Sequence, residues 1–568
     1  MRTIFATLHS KYIHASLALP CLAAYCGEGC GEILLREFTV HEPREAILAA
    51  LLRDNPDVIA FSVYLWNRRE TFDLVDALAV ARPGLRLVVG GPEVSFDETE
   101  LFARHPGVTA LVRGEGELPL RALLRAWTGG HEPGPIPRLA LRRGSSVEEG
   151  PDGPLLDDLD TLPSPFQLGL VDCTRGLVYF ETSRGCPFRC TFCLSARDNR
   201  VRTFSLERSF ADLQWLIDRE VPQVKLVDRT FNSDPARARE IFSFILARNR
   251  RSRFHFEIAA HLLDEESLAL LDTVPPGTFQ FEIGVQSTLE ATLRGIDRPA
   301  ALNRLESAVH RLKSAGNIHL HLDLVAGLPG EGYRDILAAI DRVAALRPDH
   351  LQLEPIKLLP GTPLRDRAAD LKLRFDPNPP YAVLGTPDLS FAELERLRTI
   401  SRLLDLTYNA GCFPTFLTQL AATAGSLARG LEQLAEELAH DHWLRHPAGR
   451  DALFLRLAEA TARLWSGAPA LSLREALAHD LACCERVAAE RAPALYDTGL
   501  DESERVWVRE QVVLATAEVR GQGIKLQHFA AVFRHLPAMQ GRTVCLFLYR
   551  SKTGEGLQVE KRLRPGES

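Results

Sequence analysis

Three cysteines, Cys186, Cys190 and Cys193, lie in the run Ser-Arg-Gly-Cys-Pro-Phe-Arg-Cys-Thr-Phe-Cys-Leu-Ser that spans residues 183–195 of a 568-residue chain. Thiolates spaced C-x3-C-x2-C can converge on one metal centre, and soft sulfur ligands select iron–sulfur clusters, zinc or copper(I). A closed structural site takes four protein ligands, whereas a four-iron four-sulfur cluster on three cysteines keeps one iron open to a further ligand. The competing use of the triplet is a zinc site completed by Cys173 or a nearby histidine, but nothing pairs with it at zinc-like spacing.

With Phe192 just before the last cysteine and the strand-like Gly-Leu-Val-Tyr-Phe-Glu-Thr at 176–182 upstream, this stretch resembles the radical S-adenosylmethionine (radical SAM) superfamily. The resemblance implies a [4Fe-4S] cluster on the three cysteines whose open iron chelates the amino and carboxylate groups of SAM. It also implies an electron donor such as flavodoxin or ferredoxin, since an electron from the cluster cleaves SAM to methionine and a 5′-deoxyadenosyl radical.

The elements that position this loop follow from the rest of the chain. Its length suggests roughly three to four domains. A formal net charge of −7 without a polybasic arm argues against a nucleic-acid partner. No apolar run approaches membrane-spanning length, and the N-terminal Met-Arg-Thr-Ile-Phe-Ala-Thr-Leu is followed by His9, Lys11 and His14, unlike a signal peptide. We therefore expect a cytoplasmic protein in which the eleven cysteines are ligands or buried thiols.

Residues 1–130 alternate short apolar runs with helical patterns five times, which predicts a doubly wound, Rossmann-like parallel sheet. Ligands of such sheets sit at the carboxyl ends of the strands, here marked by Ser62 and Leu65, by Gly90, Gly91 and Glu93, and by Gly114 and Glu115. Glycine at such ends permits close backbone approach to a ligand. These features resemble the cobalamin-binding fold, and the resemblance assigns the seven residues to the cofactor groove. The D-x-H-x-x-G loop that gives cobalt a histidine is missing after the first strand, and His9 and His14 lack its spacing; cobalamin-binding domains fused to radical SAM barrels often lack it. The alternative is an open sheet that binds another nucleotide or none. Cys21, Cys26 and Cys30 are read as buried thiols rather than a second cluster.

Residues 131–175 read as a linker with a short hairpin around Arg-Arg-Gly-Ser-Ser-Val-Glu-Glu-Gly. A second β–α series over 176–365 predicts a (β/α)6 partial TIM barrel. Its strands alternate, although parallel strands covered on both faces normally read as continuous apolar runs. Residues two apart share a face, so Tyr179, Glu181, His255, Glu257, Gln280, Glu282, Gln286, His319, His321, Asp323, Gln352 and Glu354 form a polar lumen. The opposite set, Val178, Phe180, Phe254, Phe256, Phe279, Phe281, Leu320, Leu322, Leu351 and Leu353, must meet the helices. A lumen of that kind predicts a wet reaction chamber, with Glu257, Glu282 and Asp323 as candidate catalytic carboxylates. Several strand ends resemble radical SAM positions as well. Asp228 stands where the family contacts the amino group of SAM, Gln286 near its ribose or carboxylate, and Gly327, Pro329 and Leu359 where the family encloses adenine.

Residues 366–568 change to helical periods and a terminal hairpin, resembling the accessory regions of some cobalamin-dependent radical SAM proteins. His440, Asp441, His442 and His446 are read as surface residues, and Cys483 and Cys484 as buried. The domain order implies a cobalamin-dependent radical SAM enzyme that methylates an unactivated carbon of a small, natural-product-like substrate. SAM would then have two fates, cleavage to the radical and methyl donation to cobalt(I). The alternatives are a radical rearrangement or cyclisation without methyl transfer, and a non-enzymatic iron–sulfur protein for electron transfer or sensing.

Overall fold

The computed structural model describes residues 1–96, 100–439, 444, 449–488, 494–537, 539, 541–552 and 556–566. The expectations for His440, Asp441, His442 and His446, and for the centre of the Lys552–Gly556 turn, lie outside the described residues. The chain forms two compact units: Met1–His321 with Gly327–Gly330 and Pro355–Asp388, and Leu322–Ala326 with Glu331–Glu354 and Leu389–Ser568.

The first unit opens with β1 (Arg2–His9), α1 (Ala18–Cys26), β2 (Glu32–Thr39), α2 (Arg44–Arg53), β3 (Val58–Ser62), α3 (Arg68–Ala81), β4 (Arg86–Gly90), α4 (Glu100–Arg104), β5 (Val108–Val112) and α5 (Glu117–Thr128). The five strands pair in parallel, and β3, Val-Ile-Ala-Phe-Ser, is buried throughout, as a strand covered on both faces must be. Leu120, Leu123, Leu124 and Trp127 recur at helical spacing on α5 and are buried against the sheet. The linker contributes more than connection. Its hairpin, β6 (Leu139–Arg143) and β7 (Ser146–Glu149), adds antiparallel to β5 and extends the order to β2-β1-β3-β4-β5-β6-β7. Proline and glycine content suggested a boundary here, but the open edge of β5 needed a partner.

The barrel strands are β8 (Leu177–Phe180), then after a two-stranded ribbon, β9 (Ser183–Arg184) with β10 (Arg202–Thr203), and after α6 (Leu206–Asp218) comes β11 (Gln223–Leu226). The series continues with α7 (Pro235–Arg248), β12 (Arg253–Ile258), α8 (Glu265–Leu271), β13 (Phe279–Gln286), α9 (Glu290–Gly295), α10 (Leu302–Ala315), β14 (His319–Ala326), α11 (Tyr333–Ala345) and β15 (His350–Pro355). The sheet order β15-β14-β13-β12-β11-β8 follows the chain, as the partial-barrel expectation requires. Alternation holds: β13 buries every second residue, and Phe254, Phe256, Phe279 and Phe281 are all buried. Phe242 of α7 packs its ring 5.1, 5.3 and 5.9 Å from those of Phe256, Phe279 and Phe281. Asp234 caps α7 by accepting the N–H groups of Ala236 and Arg237, ahead of Pro235 at the first helical position. The unit closes with α12 (Pro363–Asp366), β16 (Arg374–Phe375) and β17 (Val383–Gly385), and so runs past the boundary expected at 365.

The second unit carries α13 (Phe391–Leu406), α14 (Pro414–Ala424), α15 (Leu427–Glu437), α16 (Arg450–Leu464), α17 (Gly467–Cys484) and α18 (Glu502–Glu518), then β18 (Lys525–Phe533), β19 (Thr543–Ser551) and β20 (Gln558–Pro565). A hairpin was expected and a three-stranded antiparallel sheet is found. The strand that was not anticipated, β18, reads Lys-Leu-Gln-His-Phe-Ala-Ala-Val-Phe, whose period of two breaks at the alanine pair; its pairing along all of β19 supplies what local pattern does not. Val508 and Ala515 of α18 cover Val532, Val544, Leu546 and Leu548. Among the described residues no helix is long and apolar enough to cross a membrane.

One buried histidine makes the stability of this unit pH-dependent. His479 on α17 has Nδ1 3.3 Å from Asp480 and 3.2 Å from Thr415, Nε2 3.3 Å from Lys561, and Cys483 Sγ 3.7 Å away. Burial pulls its pKa down, but Asp480 and Cys483 outweigh burial and raise it to about 9. A folded-state pKa above the ordinary 6.5 gives stability that is full below pH 6.5 and lost as pH rises through 9. We expect a fall of up to about 3 kcal/mol over that range, measured by denaturant unfolding of the unit, and a flatter profile in His479→Gln. Cys484, by contrast, is pushed up to about 12 by burial and Cys412, in keeping with an unreactive thiol.

Candidate functional site

The cysteine loop begins where β8 ends, and a buried carboxylate brackets its first residues. Asp228, only 1% exposed, accepts the Thr182 N–H at 3.0 Å and the hydroxyls of Thr182 and Ser183 at 2.6 Å each. Burial pushes its carboxyl up, and the Ser183 and Thr182 donors pull against that. Asp228 therefore does not project toward a ligand as expected; its bonds are spent on holding the loop entry. Gly185 follows at φ +92°, and a Cβ there would lie 2.2 Å from the Arg200 carbonyl oxygen, so this position admits only glycine. Cys186 N–H donates to Asp198 O at 3.2 Å, Cys193 N–H to Cys190 O at 3.0 Å, and Thr191 N–H to Ile296 O at 3.0 Å.

All three cysteines are free thiols, Cys186 and Cys190 buried and Cys193 half-buried. The Cys186 sulfur lies 3.4 Å from Thr230 Oγ1, and Arg298 donates to the Cys190 sulfur at 3.7 Å. Burial raises the Cys190 thiol, Arg298 lowers it, and Cys193 and Cys186 raise it again. Arg298 also donates to the carbonyl of Gly284, tying the end of β13 to the cysteines. Neither Gly284 nor Arg298 was anticipated, although a glycine inside an alternating strand is itself a signal of close approach. Gln286 closes β13 at φ +69°, and its amide folds back over Gly284, where a Cβ would lie 2.1 Å from it.

The polar face of the strands is layered by register. Tyr179, Lys225, His255 and Gln280 stand side by side, with Glu257 and Glu282 paired in the next layer. Lys225, which the sequence reading passed over, has Nζ 3.2 Å from Glu282 and 3.9 Å from Glu257. His255 Nε2 lies 2.9 Å from Glu282, without hydrogen-bond alignment. Burial raises the Glu282 carboxyl, but His255 and Lys225 outweigh it and hold the pKa at about 2; burial lowers that of His255. The structure thus brings Glu257 and Glu282 together, while Asp323 lies half-buried on the Leu322–Ala326 segment of the second unit.

The depressed Glu282 pKa lies below the unfolded value of 4.5, so its contribution is full above pH 4.5 and lost as pH falls toward 2. Hydrogen exchange in peptides spanning β12 and β13 is expected to accelerate over that interval by the equivalent of up to about 3 kcal/mol. Glu282→Gln should remove most of this acid dependence.

The carboxyl rim of the N-terminal sheet holds fewer ligand-facing groups than expected. Gly91, at φ +113°, would place a Cβ 2.5 Å from Val63 O, and Gly90 O accepts the Val63 N–H at 2.7 Å. Gly91 thus serves the approach of the β3 and β4 ends to each other, whereas a Cβ at Gly90 would lie 3.2 Å from Val112 of β5. Glu93 is buried on Arg68 at 3.6 Å and accepts the Tyr381 hydroxyl, so it braces the unit rather than facing a cofactor. Glu115 is likewise engaged, receiving two bonds from Arg202 at 2.5 and 3.1 Å. Gly114 takes φ +72° and donates its N–H to Ser95 Oγ at 3.0 Å. Ser62 is buried, its carbonyl accepting the Thr7 hydroxyl at 2.9 Å, and Leu65 is half-exposed. Tyr12, Ile13 and Trp66 remain exposed in the loops after β1 and β3. His9 is buried against Glu37 at 2.9 Å, and His14 Nδ1 lies 2.8 Å from the Tyr179 hydroxyl, so both histidines already have partners.

On the adenine-side positions, Gly327 takes φ +92°, and a Cβ would meet Val383 at 2.9 Å. Pro329 and Leu359 are half-buried, and the Leu359 carbonyl accepts the Thr362 hydroxyl at 2.8 Å.

A parallel open sheet followed by a six-stranded β/α sheet, with a C-x3-C-x2-C loop at the end of the first barrel strand, is the architecture that the radical SAM resemblance predicts. The B12 binding domain family matches residues 4–124 and the Radical SAM superfamily residues 180–343. A family described as a protein of unknown function (DUF4080) matches residues 369–504. The chain is 30% identical over 368 residues to the cobalamin-dependent radical SAM methyltransferase TokK of Streptomyces tokunonensis, covering 59% of this chain and 52% of TokK. It is 29% identical over 402 residues to the 2-(S-pantetheinyl)-carbapenam-3-carboxylate methyltransferase of Streptantibioticus cattleyicolor, covering 62% and 57%. It therefore spans little more than half the length of these curated relatives. The solved structure of the cobalamin-dependent SAM radical enzyme OxsB with aqua-cobalamin superposes with a TM-score of 0.61 at 16% identity, covering 91% of this chain and 84% of OxsB, a likeness of fold.

Proposed function

We propose that this chain is a cobalamin-dependent radical SAM methyltransferase that acts on a carbon of a small organic substrate. The observation that carries the reading is the C-x3-C-x2-C loop at the end of β8, with the Arg298 guanidinium on the Cys190 sulfur, in one unit with the N-terminal sheet. The methyltransferase names of the relatives support the reaction type. Three cysteines at C-x3-C-x2-C spacing, all free thiols, suit a [4Fe-4S] cluster held at three corners. When bound, the cluster and SAM supply one-electron reductive cleavage, and cobalamin supplies a methyl carrier.

The chain's own residues do the positioning. Cys186, Cys190 and Cys193 hold the cluster, and Arg298 donates to the sulfur of Cys190. Tyr12, Ile13 and Trp66 offer exposed apolar surface suited to a corrin face at the rim where open sheets take their ligands. His14 and Tyr179 join that rim to the barrel. Glu282 stays ionised between Lys225 and His255, so this layer orients a polar substrate through fixed charges. A reductant of the flavodoxin or ferredoxin type delivers the electron.

The test is anaerobic turnover with methyl-deuterated SAM and a panel of small-molecule acceptors. Label in the product, together with both S-adenosylhomocysteine and 5′-deoxyadenosine, supports methyl transfer. Substrate-dependent 5′-deoxyadenosine without S-adenosylhomocysteine overturns it in favour of a rearrangement or cyclisation, and neither product indicates a non-enzymatic cluster protein.

A further inference from the structure

The ribbon that frames the cysteine loop contains an electrostatic conflict that its own strands do not resolve. Arg184 of β9 stands directly opposite Arg202 of β10, and like charges facing each other across a strand pair are destabilising. Both are sequestered, with side chains 14% and 3% exposed. The local carboxylates are Glu181, 2.8 Å from Arg184, and Asp198, 2.8 Å from Arg202. Two further carboxylates arrive from the segment that leads from β5 into α5 of the N-terminal sheet. Glu117 reaches Arg184 at 2.8 Å, and Glu115 lies between the arginines, 2.5 Å from Arg202 and 3.6 Å from Arg184. The same ribbon fixes the cysteines, because β9 runs through Gly185 into Cys186 and the carbonyl of Asp198, whose carboxylate is on Arg202, receives the Cys186 N–H.

We propose that Glu115 and Glu117 are positioning residues for the three-cysteine site. Glu181 and Asp198 already match the two buried guanidiniums in charge, and Glu115 and Glu117 clamp the same guanidiniums from the N-terminal sheet, so that sheet sets the geometry in which the cysteines hold their cluster. This inference rests on the cluster reading of the cysteines. It gives Glu115 a task distinct from the cofactor groove to which its strand-end position pointed.

The experiment uses the full chain, reconstituted anaerobically with iron and sulfide, as wild type, Glu115→Gln, Glu117→Gln and the double Glu115→Gln, Arg202→Gln variant. Asp157→Asn is the control, because Asp157 pairs with Arg200 on the same loop from an exposed position. The readouts are far-UV circular dichroism, cluster bleaching by a ferrous-iron chelator, and the electron paramagnetic resonance (EPR) spectrum of the reduced cluster. We expect unchanged dichroism in every variant. Bleaching should be about tenfold faster in Glu115→Gln and Glu117→Gln, with altered EPR g-values. The control should match wild type, and the double variant should bleach no faster than Glu115→Gln, since removing one arginine also removes the repulsion. Wild-type bleaching and g-values in both single variants overturn the inference alone, as does loss of dichroism in them, which would make the carboxylates general fold elements. A wild type that takes up no cluster overturns the functional reading and the inference with it.

Discussion

Replacing Cys186, Cys190 and Cys193 together by alanine is expected to abolish cluster iron and to reduce SAM cleavage to background, with the fold retained. The three thiols lie on one loop, Cys186 and Cys190 buried and Cys193 half-buried. Each change removes a single sulfur atom, and the loop keeps its backbone bonds from Cys186 N–H to Asp198 and from Thr191 N–H to Ile296. Iron and acid-labile sulfide assays with chromatographic detection of 5′-deoxyadenosine check the loss, and circular dichroism checks the fold.

The second large effect lies at Asp228. Replacement by alanine strands three donors, the Thr182 N–H and the Thr182 and Ser183 hydroxyls, in a site where water cannot take over. Leaving a buried neutral donor unpaired costs about 1–3 kcal/mol, and the cost falls on the entry to the cysteine loop. Asp228→Ala should therefore lose both denaturant stability and cluster occupancy, with Asp228→Asn intermediate. A variant that kept its cluster and its stability but lost SAM affinity would return Asp228 to the role its strand-end position suggested.

The contrast at Asp228 shows where sequence stops informing. The cysteine spacing, the β–α alternation and the polar barrel face are local patterns, and each appears in the structure because spacing and period set them directly. Lys225 lies on the same face by the same rule of two, yet a single lysine within Gln-Val-Lys-Leu-Val-Asp did not mark that strand as polar. Glu93, Glu115 and Asp228 have the residue type and strand-end position of ligand contacts, but their partners are 288, 87 and 46 residues away in sequence. Whether a carboxylate faces a cofactor or a distant arginine is decided by tertiary packing, and single-sequence patterns carry no record of it. Strand β18 was missed for a related reason, since its pairing with β19 supplies the strand character that its alternation lacks.

The most direct test of the central claim is the EPR spectrum of the reconstituted, reduced chain before and after addition of SAM. A cluster on three cysteines with one open iron predicts a reduced [4Fe-4S] signal whose g-values shift when SAM binds, and no such signal in the triple alanine variant. A signal indifferent to SAM, or one that survives loss of the three cysteines, would contradict the account.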